Sequence, residues 1–267
     1  MVTVIIPTID RPTLSATLKS VHNQSFRNFD VLIVDDSVEQ QLESNSFKII
    51  RTGGSHGVSL ARNLGLQHVS SEFVALLDDD DEWHPGYLEK QMINFKNLEI
   101  DFGLTGAVVN GRKRPRTPLK VGLDPFEMLY GRPHLLRSRA YLPTSSYMFR
   151  AEIIQTTTFD ESIADRENLR FVRDCFKAGY RIFQDSESLV TINYDSRSSI
   201  SRINFIQEIE WANYLMSLKE EWANNFLIES ARNLIRNHKK KDAQEVIRMI
   251  NAQDKTIYKV ILKILAN

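Results

Sequence analysis

Residues 74–86 read VALLDDDDEWHPG, a short apolar run that ends in four successive aspartates, Asp78–Asp81. Adjacent carboxylates repel one another, so a fold that gathers them needs a cation or a solvated turn around them. Carboxylate oxygens are the ligands that Mg²⁺ and Mn²⁺ prefer, and Asp78 and Asp80 are spaced to present them. The alternative is an acidic turn that caps the helix following Trp83. A cation site and an acidic turn are therefore the two hypotheses for this stretch.

Three apolar runs predict neighbouring strands of one sheet: VTVIIP at 2–7, FDVLIVDD at 29–36 and FVALLDDDD at 73–81. Each run is apolar on both faces, which is typical of a buried parallel strand. The segments between them, at 12–26 and 59–69, carry apolar residues at helical spacing. Alternating strands and helices predict a doubly wound α/β domain, in which ligands bind beyond the carboxyl ends of the strands.

Polar residues follow each predicted strand, at 7–11, 35–36 and 78–81, and we expect them to meet in one crevice. This position, together with the second acidic pair, favours the cation site over the acidic turn. Asp36 is able to accept a hydrogen bond from the N3–H of a uracil ring or to cap a loop, and both readings stay open. Arg11 and Arg62 are candidates to pair with phosphate, or else are ordinary packing residues.

Composition narrows the class of protein. The chain has 34 basic and 34 acidic residues, so no overall positive field indicates nucleic acid as a partner. A single cysteine, Cys175, excludes an intrachain disulfide and a cysteine-rich zinc site. The first residues lack the pattern of a signal peptide, and no run of about 18 apolar residues occurs. These features predict a soluble, cytoplasmic protein.

The second half of the chain is mixed and then helical. GRKRPRTP at 111–118 reads as a mobile basic loop or as a clamp for an anionic substrate. From about residue 204 the apolar spacing is helical, and lysines alternate with apolar residues after Lys239. Such helices either pack on protein or lie on an anionic bilayer as a peripheral contact. We predict an α/β domain at 1–200 and a helical extension at 201–267.

Several motifs, in order, resemble those of family two glycosyltransferases with the GT-A fold. They cover roughly residues 2–195. They are VTVIIPTIDRPTLSATLKSVHNQSFRNFDVLIVDDS, GVSLARNLGL, FVALLDDDDEW, FDESI, REN, FKAGYRI and SLVTINY.

The resemblance implies a Rossmann-like mixed sheet flanked by helices, and an enzyme that moves a sugar from a nucleotide diphosphate sugar with inversion. A UDP-sugar donor and Mn²⁺ or Mg²⁺ held by a D-x-D motif are expected. The implied acceptor is a saccharide or a lipid-linked saccharide in surface polysaccharide synthesis. Peripheral attachment at the inner face of the membrane and a homo-oligomer are compatible with this role.

The same resemblance assigns residues by position. Asp36 would face the base, and Asp80 would be the main metal ligand, with Asp78 beside it. Asp195 lies near a position where related enzymes place a metal-binding histidine; a surface aspartate at a strand end is the alternative. The residues implied to line the donor site, together with the phosphate candidate Arg11, are Pro7, Thr8, Ile9, Asp10, Asp36, Gly57, Arg62, Asp78 and Asp79.

One departure from the family pattern concerns the catalytic base. A helix in the family commonly begins Glu-Asp, and that aspartate deprotonates the acceptor hydroxyl. Here Glu167 matches the glutamate, but Asn168 occupies the position of the base. Either Glu167 or Asp165 serves as base, or the acceptor needs little help, or the protein turns over weakly. Loss of a positioned base typically costs about 10²–10⁴ in rate.

Two rival functions follow from the same residues. VLIVDDS and LLDDDDEWHPG resemble the acidic pair and phosphoacceptor strand of a receiver domain, although a strand and helix precede the first of them. Asn168 also allows a module that binds a nucleotide sugar without transferring it.

Overall fold

The computed structural model describes residues 1–39, 42–43, 46–131, 141–163, 165–193, 205–237 and 239–250. These residues divide into two compact units. The first unit comprises Met1–Pro125 and Ala140–Asn193, and the second comprises Phe126–Arg139 and Tyr194–Asn267. The domain boundary predicted between residues 200 and 201 stays a prediction.

The strands are β1 (Val2–Thr8), β2 (Phe29–Asp35), β3 (Lys48–Arg51), β4 (Phe73–Leu76), β5 (Glu82–Trp83), β6 (Phe102–Val109), β7 (Arg112–Arg114), β8 (Met148–Arg150) and β9 (Ile182–Ile192). The helices are α1 (Leu14–His22), α2 (Val58–Leu66), α3 (Tyr87–Leu98), α4 (Pro125–Tyr130), α5 (Glu167–Lys177), α6 (Phe205–Leu218), α7 (Glu220–Arg236) and α8 (Lys240–Met249).

The three apolar runs form adjacent parallel strands, as predicted. Strand β1 pairs with β2 on one side and β4 on the other, so that Ile5 lies between Leu32 and Leu76. All seven residues of β1 are buried, because helices cover both faces of a parallel sheet. The three strands therefore end side by side and bring their following loops together.

The rest of the sheet is mixed, which confirms the GT-A fold class. The strand order is β3-β2-β1-β4-β8-β6-β9-β5, with β7 paired to β6. Strand β8 runs antiparallel to both β4 and β6, whereas β9 runs parallel to β6. A 3₁₀ turn at Thr144–Ser146 precedes β8, so only the end of YLPTSSYMFR is a strand.

The basic segment at 111–118 differs from the predicted loop. Arg112–Arg114 forms an edge strand, β7, that pairs antiparallel with the end of β6. Charged side chains suit an edge strand because they discourage pairing with other chains. Whether this hairpin also clamps an anionic substrate stays a prediction.

The second unit is helical in its described residues. The Phe126 ring lies within 6.3 Å of the rings of Trp211, Tyr214 and Trp222. Trp222 Nε1 donates to Glu127 Oε2 at 2.9 Å, so the start of this unit packs on its C-terminal helices. The predicted helices at 205–249 are confirmed, whereas the lysines after residue 250 lie outside the described residues. Within the described ranges, every helix is too short or too polar to cross a bilayer.

Close contact between α2 and the sheet depends on Gly65. A Cβ at this position would lie 2.7 Å from Ile5 Cγ2 and 3.1 Å from Val34 Cγ2. Both contacts are shorter than ordinary van der Waals separations, and both partners are buried in the core. Gly65 thus sets the distance between α2 and β1.

We expect Gly65→Ala to lower the free energy of unfolding by about 1–3 kcal/mol, because the added methyl overpacks the core. Urea denaturation followed by circular dichroism measures the change. Gly86→Ala is the matched control: its Cβ would meet nothing closer than 3.9 Å. Equal stability of the two variants would contradict the packing role of Gly65.

Candidate active site

A pocket of about 330 Å³ lies where β1, β2 and β4 end and α2 begins. The predicted meeting of the three polar clusters is therefore observed. The lining residues include Val58 and Ala61, which the sequence analysis did not single out. The lining as a whole consists of Pro7, Thr8, Ile9, Arg11, Asp36, Gly57, Val58, Ala61, Arg62, Asp78, Asp79 and Asp80.

Arg62 is the central cation of this pocket, and only 3% of its side chain is exposed. Its Nη2 lies 2.7 Å from Asp78 Oδ1, and its Nη1 lies 2.7 Å from Glu167 Oε1. Burial acts to lower the pKa of Arg62, but the Asp78 and Glu167 carboxylates outweigh it and raise that pKa above its usual value. Arg62 therefore stays charged and holds two carboxylates in place.

The residue after Arg62 anchors the segment that leads to Glu167. Asn63 Nδ2 donates to the Phe159 carbonyl at 2.9 Å, and Asn63 Oδ1 accepts from the Phe159 N–H at 2.9 Å. Phe159 also lies under the Arg62 guanidinium, with 5.2 Å from Cζ to the ring centroid. This clamp was not predicted, because the two partners are 96 residues apart in sequence.

A second arginine, Arg11, bridges the next two carboxylates. Its Nη1 lies 2.9 Å from Asp79 Oδ1 and 3.0 Å from Asp80 Oδ2. Asp79 also accepts a hydrogen bond from the Thr8 hydroxyl at 2.6 Å and is buried. Burial and then repulsion from Asp78 raise the pKa of Asp80, and Arg11 opposes this rise.

The fourth aspartate, Asp81, faces away from this charge network. Its Oδ2 accepts from the Ser145 hydroxyl, and its Oδ1 accepts from the Asn193 N–H at 3.1 Å. Burial, followed by repulsion from Asp78, raises the pKa of Asp81 to about 8. This rise favours the protonated form of Asp81 at neutral pH, and its contacts with Ser145 and Asn193 give it a structural role. Ser145 also accepts from the Asp78 N–H at 3.1 Å, so one serine fixes both ends of the aspartate run.

Asp36 organises the loop at 52–57. Its Oδ1 accepts from the Thr52 hydroxyl and from the His56 N–H at 2.9 Å, and its Oδ2 accepts from the Gly57 N–H at 2.8 Å. Gly57 has φ +95°, a conformation that other residues rarely adopt. The loop-capping reading of Asp36 is therefore observed, and its contact with a nucleotide base stays a prediction.

Ile9 and Asp10 differ in their relation to the pocket. Ile9 is an exposed apolar residue that lines it. Asp10 is exposed, has φ +60° and is not among the lining residues; its N–H donates to Thr8 Oγ1 at 2.9 Å.

The residues considered for the catalytic base differ in their exposure and in their contacts. Glu167 is 11% exposed and is paired with Arg62, which lines the pocket, but Glu167 is not itself among the lining residues. Asn168 Nδ2 donates to the Leu142 carbonyl at 3.4 Å, and the Asn168 main-chain carbonyl accepts from the Tyr147 hydroxyl at 3.3 Å. Asp165 is 44% exposed and pairs with its neighbour Arg166. Asp195, the third metal candidate, lies outside the described residues.

The charge of the pocket fits a divalent cation. Among the residues that line the pocket, the carboxylates of Asp36, Asp78, Asp79 and Asp80 outnumber the guanidinium groups of Arg11 and Arg62 by two. Among the described residues, no three His, Cys, Asp or Glu side chains are arranged as a complete metal site. An ion held here would thus need further oxygen ligands from a bound substrate.

Sequence comparison shows which family this chain belongs to. The model of glycosyl transferase family 2 matches residues 3–155, more than half of the chain, so the protein is a member of that family. The receiver-domain alternative is therefore wrong.

Two relatives with assigned names are similar in sequence to this chain. An Escherichia coli protein named UDP-Glc:alpha-D-GlcNAc-diphosphoundecaprenol beta-1,3-glucosyltransferase WfgD is 29% identical over 38% of this chain and 44% of its own length. The amylovoran biosynthesis glycosyltransferase AmsB of Erwinia amylovora is 25% identical over 73% of this chain and 70% of its own. The chain thus spans less than half the length of WfgD.

Solved structures share the fold. Residues 1–349 of S. aureus TarS match with a TM-score of 0.60 and 17% identity, covering 92% of this chain and 89% of that TarS fragment. The mannosyltransferase PcManGT of Pyrobaculum calidifontis, solved with GDP-Man and Mn²⁺, matches with a TM-score of 0.56 and 14% identity, covering 99% of this chain and 79% of its own.

We expect Asp81→Asn to have a free energy of unfolding at pH 7 at least as high as that of the parent, because the amide replaces a protonated carboxyl in the native protein and, unlike that carboxyl, releases no proton when the chain unfolds. The native protein keeps the Asp81 proton up to about pH 8, whereas the unfolded chain releases it near its ordinary value of 3.8. Stability from this group therefore declines as pH rises between these values.

Urea titrations at several pH values test this expectation. The Asn variant should show a weaker decline in stability with pH than the parent. Asp81→Ala should be about 1–3 kcal/mol less stable than the Asn variant, because it leaves buried donors unpaired. An Asn variant as unstable as the Ala variant would show that Asp81 is ionised.

Proposed function

We propose that this protein is a metal-dependent inverting glycosyltransferase that transfers a sugar from a UDP-sugar to a saccharide or lipid-linked saccharide in surface polysaccharide synthesis. The observation that carries the proposal is the pocket at the strand ends, where Asp78, Asp79 and Asp80 lie beside Arg11 and Arg62. Membership of glycosyl transferase family 2 supports the reaction class.

The pocket suits a nucleoside diphosphate. Ile9 and Val58 give it apolar surface for a base, while Thr8 and Asp36 add polar groups at the ends of neighbouring strands. Arg11 and Arg62 supply guanidinium groups, which bind phosphate oxygens in paired hydrogen bonds. The name of WfgD specifies UDP-Glc as its donor, which is consistent with a UDP-sugar here.

Asp80 would hold the cation, together with Asp78 and Asp195. Mn²⁺ or Mg²⁺, when bound, would neutralise the charge that develops on the departing diphosphate. Arg62 would keep Asp78 oriented from the protein side, since its Nη2 already lies 2.7 Å from Asp78 Oδ1. PcManGT was solved with Mn²⁺ and a nucleotide sugar, which is consistent with this arrangement.

Glu167 is the proposed general base. Its Oε1 accepts from Arg62, and Oε2 is not part of that ion pair. The acceptor hydroxyl would transfer its proton to Glu167 as its oxygen forms the new bond to the anomeric carbon. The bond between that carbon and the diphosphate breaks on the opposite face, which inverts the configuration. Asp165 is the less favoured base, because it pairs with Arg166 in an exposed position.

A second candidate is a module that binds a nucleotide sugar without transferring it. Glu167 is engaged with Arg62, and Asn168 cannot accept a proton at the position where the family places its base. Such a module would bind donor normally and release no product.

The acceptor and location follow from the same proposal. WfgD is named for a diphosphoundecaprenol-linked acceptor, which supports a lipid-linked acceptor here. Such an acceptor would place the protein in the cytoplasm, at the inner face of the membrane, with the C-terminal helices as the peripheral contact. A homo-oligomer is compatible with this arrangement.

Calorimetry with UDP, with and without Mn²⁺, tests the site. We expect Asp80→Ala to abolish the Mn²⁺-dependent part of UDP binding and to leave the circular dichroism spectrum unchanged. Asp30→Ala removes an exposed aspartate on β2 and serves as the control. Unchanged Mn²⁺-dependent binding in Asp80→Ala would remove Asp80 from the metal role.

A kinetic test separates the two candidate functions. Release of UDP from a panel of UDP-sugars identifies a transferase, and we expect Glu167→Gln to lower kcat by about 10²–10⁴ because the amide cannot take the proton. The UDP dissociation constant should stay within about threefold, since the amide still accepts from Arg62. Weaker UDP binding with normal kcat would make Glu167 a positioning residue for Arg62.

A further inference from the structure

The contacts of Arg11 differ at its two carboxylate partners. A single nitrogen, Nη1, donates to Asp79 Oδ1 and to Asp80 Oδ2. Asp79 is buried and is also held by the Thr8 hydroxyl, so its position is fixed. Arg11 and Asp80 are 42% and 39% exposed, so the contact between them is the adjustable one.

Arg11 contacts Asp80, which the proposed function assigns as the main ligand of the metal. A guanidinium and a divalent cation on one carboxylate repel each other, and both use its oxygens. Arg62 contacts Asp78, the second proposed ligand, but its side chain is buried and is also held by Glu167, so Arg62 is fixed whereas Arg11 is adjustable. The two arginines of the pocket therefore have different tasks.

Arg11 also lines the pocket where a diphosphate would lie. Its side chain is long and partly exposed, so it is able to leave Asp80 and turn to another anion without moving the backbone. Phosphate oxygens accept the paired hydrogen bonds that a guanidinium offers. Asp80 and the diphosphate are thus alternative partners of the same group.

We propose that Arg11 couples metal binding to donor binding by exchanging Asp80 for the donor diphosphate. While Arg11 pairs with Asp80, it weakens binding of a bare divalent ion. When a nucleotide diphosphate is present, Arg11 moves to the phosphates and leaves Asp80 to the ion. Each ligand then raises the affinity of the other by the same factor, as linkage requires. This inference rests on the proposed function.

Binding of Mn²⁺ alone, measured from the electron paramagnetic resonance signal of unbound Mn²⁺, tests the first half of the proposal. We expect Arg11→Gln to bind Mn²⁺ about tenfold tighter than the parent when no nucleotide is present, within the usual range of coupling between sites. Arg27→Gln, which removes an exposed arginine whose contact is the His22 carbonyl, should leave Mn²⁺ binding unchanged.

Calorimetry with UDP tests the second half. The factor by which saturating UDP tightens Mn²⁺ binding should fall about tenfold in Arg11→Gln. Arg11→Lys keeps the charge and loses the paired hydrogen bonds, so it should retain weak binding of Mn²⁺ alone and bind UDP less tightly. This variant also provides the test if Arg11→Gln does not fold, which melting curves would reveal.

The outcomes separate this inference from the proposed function. If the parent binds Mn²⁺ and UDP together but Arg11→Gln has the same Mn²⁺ affinity and the same coupling factor, the exchange is wrong and the transferase proposal stands. If the parent binds neither Mn²⁺ nor UDP, the proposed function fails and this inference fails with it.

Discussion

The pairing of carboxylates with guanidinium groups at the end of β4 is the constraint on which the pocket depends. Successive aspartates would repel one another, and the fold divides them among three sets of partners: Arg62 for Asp78, Arg11 for Asp79 and Asp80, and hydrogen-bond donors for Asp81. The arginines come from the β1 loop and from α2, so charge balance requires these elements to meet. The strand order brings these elements together, because β1 lies between β2 and β4 and the loops that follow the three strands are neighbours.

The parallel half of the sheet could be predicted from sequence, because buried parallel strands are apolar on both faces and read as continuous runs. The other half could not be predicted to the same degree. Strands β5, β7 and β8 contain two or three residues each, too few for a periodic pattern. Their pairing is decided by neighbours such as β6 and β9, so the basic residues of β7 resembled a loop.

The sequence predicted which residues lie near the pocket better than it predicted what each of them contacts. Strand-end position was enough to bring Arg11, Asp36 and Asp78 together. It gave no means to tell Asp81 from Asp80, because their difference comes from Ser145 and Asn193, which are 64 and 112 residues away from Asp81. The same limit applies to Glu167: its neighbour Asn168 drew attention in the sequence, whereas its ion pair with Arg62 spans 105 residues.

Two consecutive residues of α2 reach the same distant segment: Arg62 contacts Glu167, and Asn63 holds the main chain at Phe159. Residues 159–167 are therefore not an independent module of this fold. A chimaera that took this segment from another family member would lose the contacts with α2 unless the residues at positions 62 and 63 were transferred from the same protein. Within the family, substitutions at positions 62 and 63 should therefore be accompanied by substitutions in the segment at 159–167.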